Sequence, residues 1–140
     1  MALRELIYMS TMVGDSEHEL GAIWKSAVHH NQQNGVTGML LYYGGGFIQV
    51  LEGEEAAVME TYGRICKDLR HHDVTCMSNV EVPKRHFDTW SMGFKHVSAE
   101  EIAKVPQHAQ FFNFNTQAKC IKAKPGLALE MLTLFSRGMV

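Results

Sequence analysis

Three polar side chains in this 140-residue sequence fall where the surrounding pattern predicts burial. Tyr8 lies in the apolar run LIYMS, Gln49 lies in GFIQVLEG, and Asn31 continues the apolar stripe of a helical segment. A buried amide without hydrogen-bond partners costs about 1–3 kcal/mol. If all three side chains point into one apolar space, they can bind a planar heteroaromatic ring with one hydrogen-bonding edge, because amides both donate and accept.

The elements that must position these residues alternate along the chain. Strand patterns, which are rich in β-branched and aromatic residues, and amphipathic helical patterns follow one another in the order β-α-β-β-α-β-β. A capping box at Ser16 and Glu19 opens the first helix, and Asn34-Gly35 ends it. Glycines 44–46 predict a hairpin. The order predicts an α+β fold, ferredoxin-like with an added fifth strand, a mixed sheet and two helices on one face.

The tail after residue 97 carries further helical patterns. Ser98 and Glu101 form a second capping box, and an amphipathic stripe follows Pro125 at positions Leu127, Met131, Leu134 and Phe135. A sheet must bury both apolar faces. We therefore expect residues 1–97 to form the ligand-binding domain and 98–140 to form a C-terminal helical extension that packs on its second face.

Composition limits the classes of function. Net charge is −2 and the 13 Lys and Arg residues are scattered, so no nucleic-acid partner is expected. No apolar run reaches the roughly 18 residues of a membrane span. Three cysteines without CxxC spacing indicate reduced thiols and a cytoplasmic location. Adjacent histidines on a helix do not share a face, so no metal is expected.

An isoalloxazine ring would suit the predicted lining, and at this point the sequence resembles a family. LIYMS, NGVTGMLLYY, GFIQVLEG, YGRICKDLRHHDV and FDTWSMGF, spread over about residues 4–97, resemble the BLUF family of flavin-binding blue-light sensors. The resemblance implies FAD between the two helices, with FMN or riboflavin as alternatives.

The resemblance also implies roles for residues in the strands and the first helix. By position, Tyr8 resembles the tyrosine that gives an electron and then a proton to the excited flavin. Gln49 resembles the glutamine that bridges tyrosine and flavin and rearranges its hydrogen bonds. Asn31 resembles the asparagine that holds the pyrimidine end of the ring, and His30 occupies a neighbouring family position.

Further roles are implied beyond the ring edge. Asp68, Arg70 and His71, interpreted as the end of the second helix, match positions that contact the ribityl chain and phosphates. Trp90 and Met92 match a pair in the last strand that relays the signal. The chain would then be a photoreceptor and not an enzyme, read by an unknown downstream protein, and a homo-oligomer is expected.

Taken singly, each residue has an ordinary interpretation. Tyr8 could be a packing tyrosine, Gln49 an exposed edge amide, Asn31 a helix cap, and the cations after the second helix a solvated end. The alternative function is a ferredoxin-like module that binds a small ligand or a protein without photochemistry, since a fold does not decide function.

Overall fold

The computed structural model of the chain describes residues 3–12, 20–43, 46–69, 71–87, 93–98, 100–101 and 132. Within these ranges, five strands form one sheet and two helices pack on one of its faces. In chain order the elements are β1 Leu3–Met12, α1 Leu20–Asn34, β2 Thr37–Tyr43, β3 Gly46–Glu54, α2 Glu55–Cys66, β4 His71–Val82 and β5 Gly93–His96.

The sheet has the strand order β4-β1-β3-β2-β5. The neighbours β4 and β1, β1 and β3, and β3 and β2 are antiparallel, whereas β5 joins the edge of β2 in parallel. The first four strands have the ferredoxin-like arrangement and β5 extends it, which confirms the predicted α+β fold with a mixed sheet and an added strand.

Alternation along the central strands separates two buried faces. The face towards the helices carries the core residues Leu6, Tyr8, Leu40, Tyr42, Phe47 and Leu51, against which the side chains of both helices pack. The opposite face carries Ile7, Met9, Met39, Leu41, Ile48 and Val50, each at most 1% exposed. Both faces of the central sheet are therefore buried, as its double set of apolar side chains requires.

The predicted tail falls mostly outside the described residues. Within the described part, the Ser98–Glu101 capping box is present: the Ser98 N–H donates to Glu101 Oε1 over 3.0 Å, and the Glu101 N–H donates to Ser98 Oγ over 3.2 Å. Leu132 is helical and fully buried. The Ser16–Glu19 capping box and all four residues of the last predicted stripe lie outside the described residues.

The end of α1 is fixed by a glycine turn. Gly35 has φ +70°, and the Val36 N–H donates to the Asn31 carbonyl oxygen over 3.0 Å, the pattern of a Schellman motif. Gly53 of β3 passes close by, since a Cβ there would lie 3.2 Å from the Gly35 carbonyl oxygen. The helix end predicted at Asn34-Gly35 is confirmed, and the contact with β3 sets where the last turn of α1 lies.

The second helix ends earlier than predicted. The helix ends in a tight turn. The Lys67 N–H donates to the Arg64 carbonyl oxygen, and the Asp68 N–H donates to the Ile65 carbonyl oxygen. Leu69, expected on the apolar stripe, is 89% exposed. The assignment of His71 to the helix end is wrong because the long strand β1 offers it a partner: Met12 pairs with His71, which begins β4.

Replacing Gly35 with alanine tests the glycine turn. Nothing lies within 4 Å of the added Cβ, so the cost comes from the left-handed backbone alone, roughly 1–2 kcal/mol of the free energy of unfolding. Gly63→Ala in α2 is the matched control: it also meets nothing within 4 Å and should stabilise by roughly 0.5–1 kcal/mol. Urea unfolding measures both, and shifts of equal sign would contradict the assignment.

Candidate functional site

A cavity of about 340 Å³ lies between the two helices and the sheet. Its size falls within the roughly 300–1,000 Å³ typical of small-molecule sites. Every wall belongs to a different element: α1 and α2 form two sides, and β1, β2 and β3 form the floor. A ligand there would contact the sheet centre with one edge and the solvent side with the other.

One stripe of α1 forms the first wall. The lining positions recur at i, i+3, i+4, i+7 and i+8, the spacing of a single helix face, and are Ile23, Ser26, Ala27, His30 and Asn31. This stripe changes from apolar to polar towards the helix end. Trp24, included in the predicted apolar stripe, lies beside it and packs on Phe94 of β5 at a ring distance of 6.3 Å.

The floor carries a buried hydrogen-bonded pair. Tyr8 and Gln49 face each other across the β1–β3 ladder, and each is 3% exposed. The Tyr8 hydroxyl donates to Gln49 Oε1. The two residues therefore satisfy each other, and because Oε1 accepts from Tyr8, the NH₂ group of the amide is directed away from the phenol.

The surroundings of Tyr8 keep its phenol protonated. Burial raises its pKa above the ordinary value, and the electrostatic influence of Cys66, Tyr62 and Asp68 raises it further. The Tyr62 ring lies 5.7 Å from the Tyr8 ring in a tilted contact. Tyr8 is therefore a neutral hydrogen-bond donor across the physiological pH range, and loss of an electron from it would require loss of its proton as well.

The end of α1 presents two polar groups with fixed orientations. His30 Nδ1 lies 2.8 Å from the Ser26 carbonyl oxygen, and since a carbonyl only accepts, Nδ1 carries a proton. Asn31 is 1% exposed, and its backbone carbonyl is held in the glycine turn described above. The main chain thus positions both side chains at the cavity wall.

The last turn of α2 and the residues after it provide a mixed polar rim. Thr61, Arg64, Lys67 and Asp68 line the cavity there, and Thr61 Oγ1 donates to the Ala57 carbonyl over 2.8 Å. Sequence reasoning missed Thr61, Arg64 and Lys67. Thr61 and Arg64 are three positions apart on one face of α2, and this spacing was the available signal for them, whereas Lys67 follows the end of the helix.

The structure brings together five of the residues singled out from the sequence. Tyr8, His30, Asn31, Gln49 and Asp68 all line the cavity.

The structure does not describe the side chains of the other predicted site residues. Arg70, Trp90 and Met92 lie outside the described residues, and His71 is described only as the first residue of β4, by its backbone. Their roles, like those of the five lining residues, stay predictions.

The lining matches the chemistry of a flavin ring. Apolar walls come from α1, β2, β3 and α2 through Ile23, Ala27, Leu40, Phe47 and Ile65. The phenol of Tyr8 and the amide of Gln49 lie at the floor, and the amide of Asn31 lies at the end of α1. These groups can hydrogen-bond the donors and acceptors on the edge of a flavin ring. The polar rim of α2 then faces any chain attached to that ring.

Comparison with known proteins agrees with this geometry. A family model described as "BLUF: Sensors of blue-light using FAD" matches residues 3–93. The chain belongs to the BLUF family. It is therefore a flavin-binding blue-light sensor by family, as the resemblance in sequence implied.

The chain is similar to part of several longer proteins. Photoactivated adenylate cyclase subunit beta of Euglena gracilis is 38% identical over 78 residues, 55% of this chain and 9% of that protein. The blue light- and temperature-regulated antirepressor BluF of Escherichia coli K12 is 36% identical over 86 residues, 61% of this chain and 21% of its own. The chain thus spans only a small part of these curated relatives.

A solved structure matches over nearly its whole length. BlrB, described as a BLUF protein in its dark state, superposes with a TM-score of 0.71 at 25% identity, covering 92% of this chain and 97% of that one. Its similarity supports the five-stranded fold with two helices. In the described part of this chain, no helix combines the length and apolar character needed to cross a bilayer.

Filling the cavity should remove flavin binding without unfolding the protein. Ala27→Leu adds three carbon atoms on the lining stripe of α1, where an isoalloxazine would pack, and we expect at least a tenfold loss of flavin affinity. The control is Ala22→Leu, on the exposed side of the same helix, which should bind normally. Titration of the apoprotein with flavin measures both, and equal affinities would contradict this placement of the site.

Proposed function

We propose that the chain senses blue light through FAD held in the cavity between α1 and α2, with Tyr8 and Gln49 as the photoactive pair. The observation that carries this assignment is the buried hydrogen bond from the Tyr8 hydroxyl to Gln49 Oε1 on the cavity floor. Asn31 and His30 supply further polar contacts at the end of α1.

When bound, the flavin supplies absorption of blue light and a ring that accepts an electron. Tyr8 is the donor, and its phenolic proton leaves along the existing hydrogen bond towards Gln49 Oε1. The elevated pKa of Tyr8, caused first by burial, keeps that proton available before excitation. The electron and the proton then return to Tyr8, and Gln49 is left rearranged by rotation or tautomerisation, so that its amide donates where it previously accepted. This exchange is a local polar change that biases a two-state element.

The α2 rim is the proposed site for the phosphate-bearing chain of the cofactor. Arg64 and Lys67 supply two cations there and Asp68 one carboxylate, so the rim carries a net positive charge that favours a diphosphate. Asp68 would accept from a ribityl hydroxyl. This arrangement supports FAD over riboflavin, and Arg70 and His71 remain predicted contributors.

We infer that the signal leaves the cavity through the last strand and the C-terminal residues. Residues 1–97 would form the sensor and 98–140 a helical extension that reports its state, with Trp90 and Met92 as relay residues. Since relatives include a photoactivated cyclase subunit, we infer that a separate effector or partner protein reads the state in a cytoplasmic setting. Light scattering would establish whether copies of the chain associate.

Replacing Gln49 tests the photoactive pair. Gln49→Leu conserves the approximate volume within a buried strand, so the protein should fold and bind flavin, yet show no red shift in the light-minus-dark absorption spectrum because no side chain can exchange donor for acceptor. Tyr8→Phe, recorded beside it, should lose the shift for want of a proton-coupled donor. Gln32→Leu, an exposed amide on α1, is the control. A shift of wild-type size in Gln49→Leu would refute the mechanism.

Replacing Arg64 tests the phosphate site. Arg64→Gln removes one cation from the rim, and loss of a charge-assisted hydrogen bond of about 1.5 kcal/mol should weaken FAD and FMN about tenfold while leaving riboflavin affinity unchanged. Titration of the apoprotein with the three flavins separates these effects. Equal losses for riboflavin and FAD would mean that Arg64 contacts the ring system and not the phosphates.

A further inference from the structure

Three ionisable side chains meet on the sheet face opposite Tyr8. Glu5 of β1 and Glu52 of β3 are direct cross-strand partners, 3% and 0% exposed. His86, which follows β4, places Nδ1 2.7 Å from Glu5 Oε2 and 3.2 Å from Glu52 Oε2. We name Glu5, Glu52 and His86 the carboxylate–histidine cluster, and nothing in the photochemistry above uses it.

The cluster ties the segment after β4 to the centre of the sheet. The Glu52 carboxylate accepts from the backbone N–H of His86, over 2.9 Å to each oxygen, and from that of Phe87 over 2.8 Å. Arg85 donates to the Glu52 carbonyl oxygen over 3.3 Å and to Thr37 Oγ1 over 3.0 Å. Glu52 therefore holds residues 85–87, from which the chain runs through 88–92 into β5.

The same strand carries the photoactive amide. Gln49 and Glu52 are three positions apart in β3, which puts them on opposite faces and about 10 Å apart along the strand. Their partners in β1, Tyr8 and Glu5, repeat this arrangement. One pair of central strands therefore joins the cavity floor on one face to the cluster on the other.

We propose that Glu52 is a positioning residue for signalling, and that the carboxylate–histidine cluster couples the photoreaction to proton binding. In this inference, which rests on the proposed roles of Tyr8 and Gln49, rearrangement of Gln49 shifts β3 and weakens the hold of Glu52 on the main chain of His86 and Phe87. His86 then loses part of its contact with the Glu5 and Glu52 carboxylates, a contact that favours its protonated form, so the cluster releases a proton to solvent.

Two groups of the cluster, Glu5 and His86, have raised pKa values. Burial raises the pKa of Glu5 to about 7, the hydrogen bond with the Glu52 carboxyl acts in the same direction, and His86 opposes both. Burial alone would lower the pKa of His86, but its hydrogen bonds and charge contacts with Glu5 and Glu52 outweigh burial and raise it. As the pH rises, both groups therefore keep their protons to a higher pH in the folded protein than in an unfolded chain.

The neighbouring charges do not change this conclusion. Among the described residues, Arg85 is a further charged residue in contact with the cluster, and it donates to the backbone carbonyl oxygen of Glu52. The β4 partner of Glu5 is the uncharged Val80, and the β2 partner of Glu52 is Thr37. Arg4 pairs with Glu55 at 3.3 Å, and it points to the other face of β1 than Glu5 does.

The sign of the pH effect follows from these shifts. Because both folded-state pKa values are raised, the stability that the cluster contributes is present at low pH and is lost as the pH rises through about 7. If the lit state holds the protons less tightly than the dark state, raising the pH favours the lit state by reciprocity. Illumination near pH 7 should then release protons. With a transition state for recovery that holds its protons as tightly as the dark state does, dark recovery should also slow as the pH rises.

The test compares dark recovery of the flavin-loaded protein across pH 6–8 in buffers that contain EDTA. We expect the wild-type rate to fall several-fold over this range, up to about tenfold if the two states differ by one pKa unit. Glu5→Gln and His86→Gln should flatten the profile while keeping the red shift. Glu81→Gln, an exposed carboxylate on β4, should retain the wild-type profile.

A second measurement does not depend on any variant folding. A pH-indicator dye in weakly buffered wild-type solution should report proton release on illumination at pH 7. No release, or a sloping pH profile that persists in Glu5→Gln, overturns the inference although the red shift remains. The inference would also be overturned if the recovery rate changed when EDTA was replaced by Zn²⁺ but did not change with pH. That result would indicate that Glu5, Glu52 and His86 bind a cation. Absence of the red shift in the wild type would instead refute the proposed function.

Discussion

The register between β1 and β3 is the constraint on which this molecule depends. A slip of β1 by one residue would turn Tyr8 to the face opposite Gln49 and bring Glu5 into the cavity, away from Glu52. Both faces of the central strands are apolar, so apolar side chains alone give little preference for which face of a strand points towards the helices. The polar pairs provide that preference. Each pair is satisfied only in the observed register, because a buried phenol or carboxylate without a partner is costly.

The helices complete the site by bringing different chemistry to the two ends of the cavity. The glycine turn at Gly35 sets the end of α1, where His30 and Asn31 lie, and contact of Gly53 with that turn links the helix end to β3. At the other end, the short turn after Cys66 leaves Arg64, Lys67 and Asp68 at the rim. An apolar slot with amides at one end and cations at the other follows from where the helices stop.

Sequence patterns were sufficient for the elements whose signals are local. Alternation defined the central strands, Asn34-Gly35 ended α1, and helical period put Asn31 on the inner face. The end of α2 was misjudged because Leu69, Arg70 and His71 continue a helical pattern, whereas the actual partner of His71 is Met12, 59 positions earlier in the chain. Arg64 was missed because its helical spacing from Thr61 is also that of an ordinary solvated helix face, and Lys67 because a lone lysine after a helix has no distinctive local pattern. The cluster of Glu5, Glu52 and His86 depends on contacts over as many as 81 positions, which no window of sequence reveals.

The two sides of the cavity differ in how firmly they are built. The floor belongs to central strands whose side chains are almost completely buried, whereas Asn31 is the one buried side chain among those described in α1. Local opening draws on the least buried parts of a fold, so we expect α1 to open before the pairing of β1 with β3 is lost. A bound cofactor would exchange by this partial opening, and slow amide hydrogen exchange in the central strands would persist in protein that had lost its flavin.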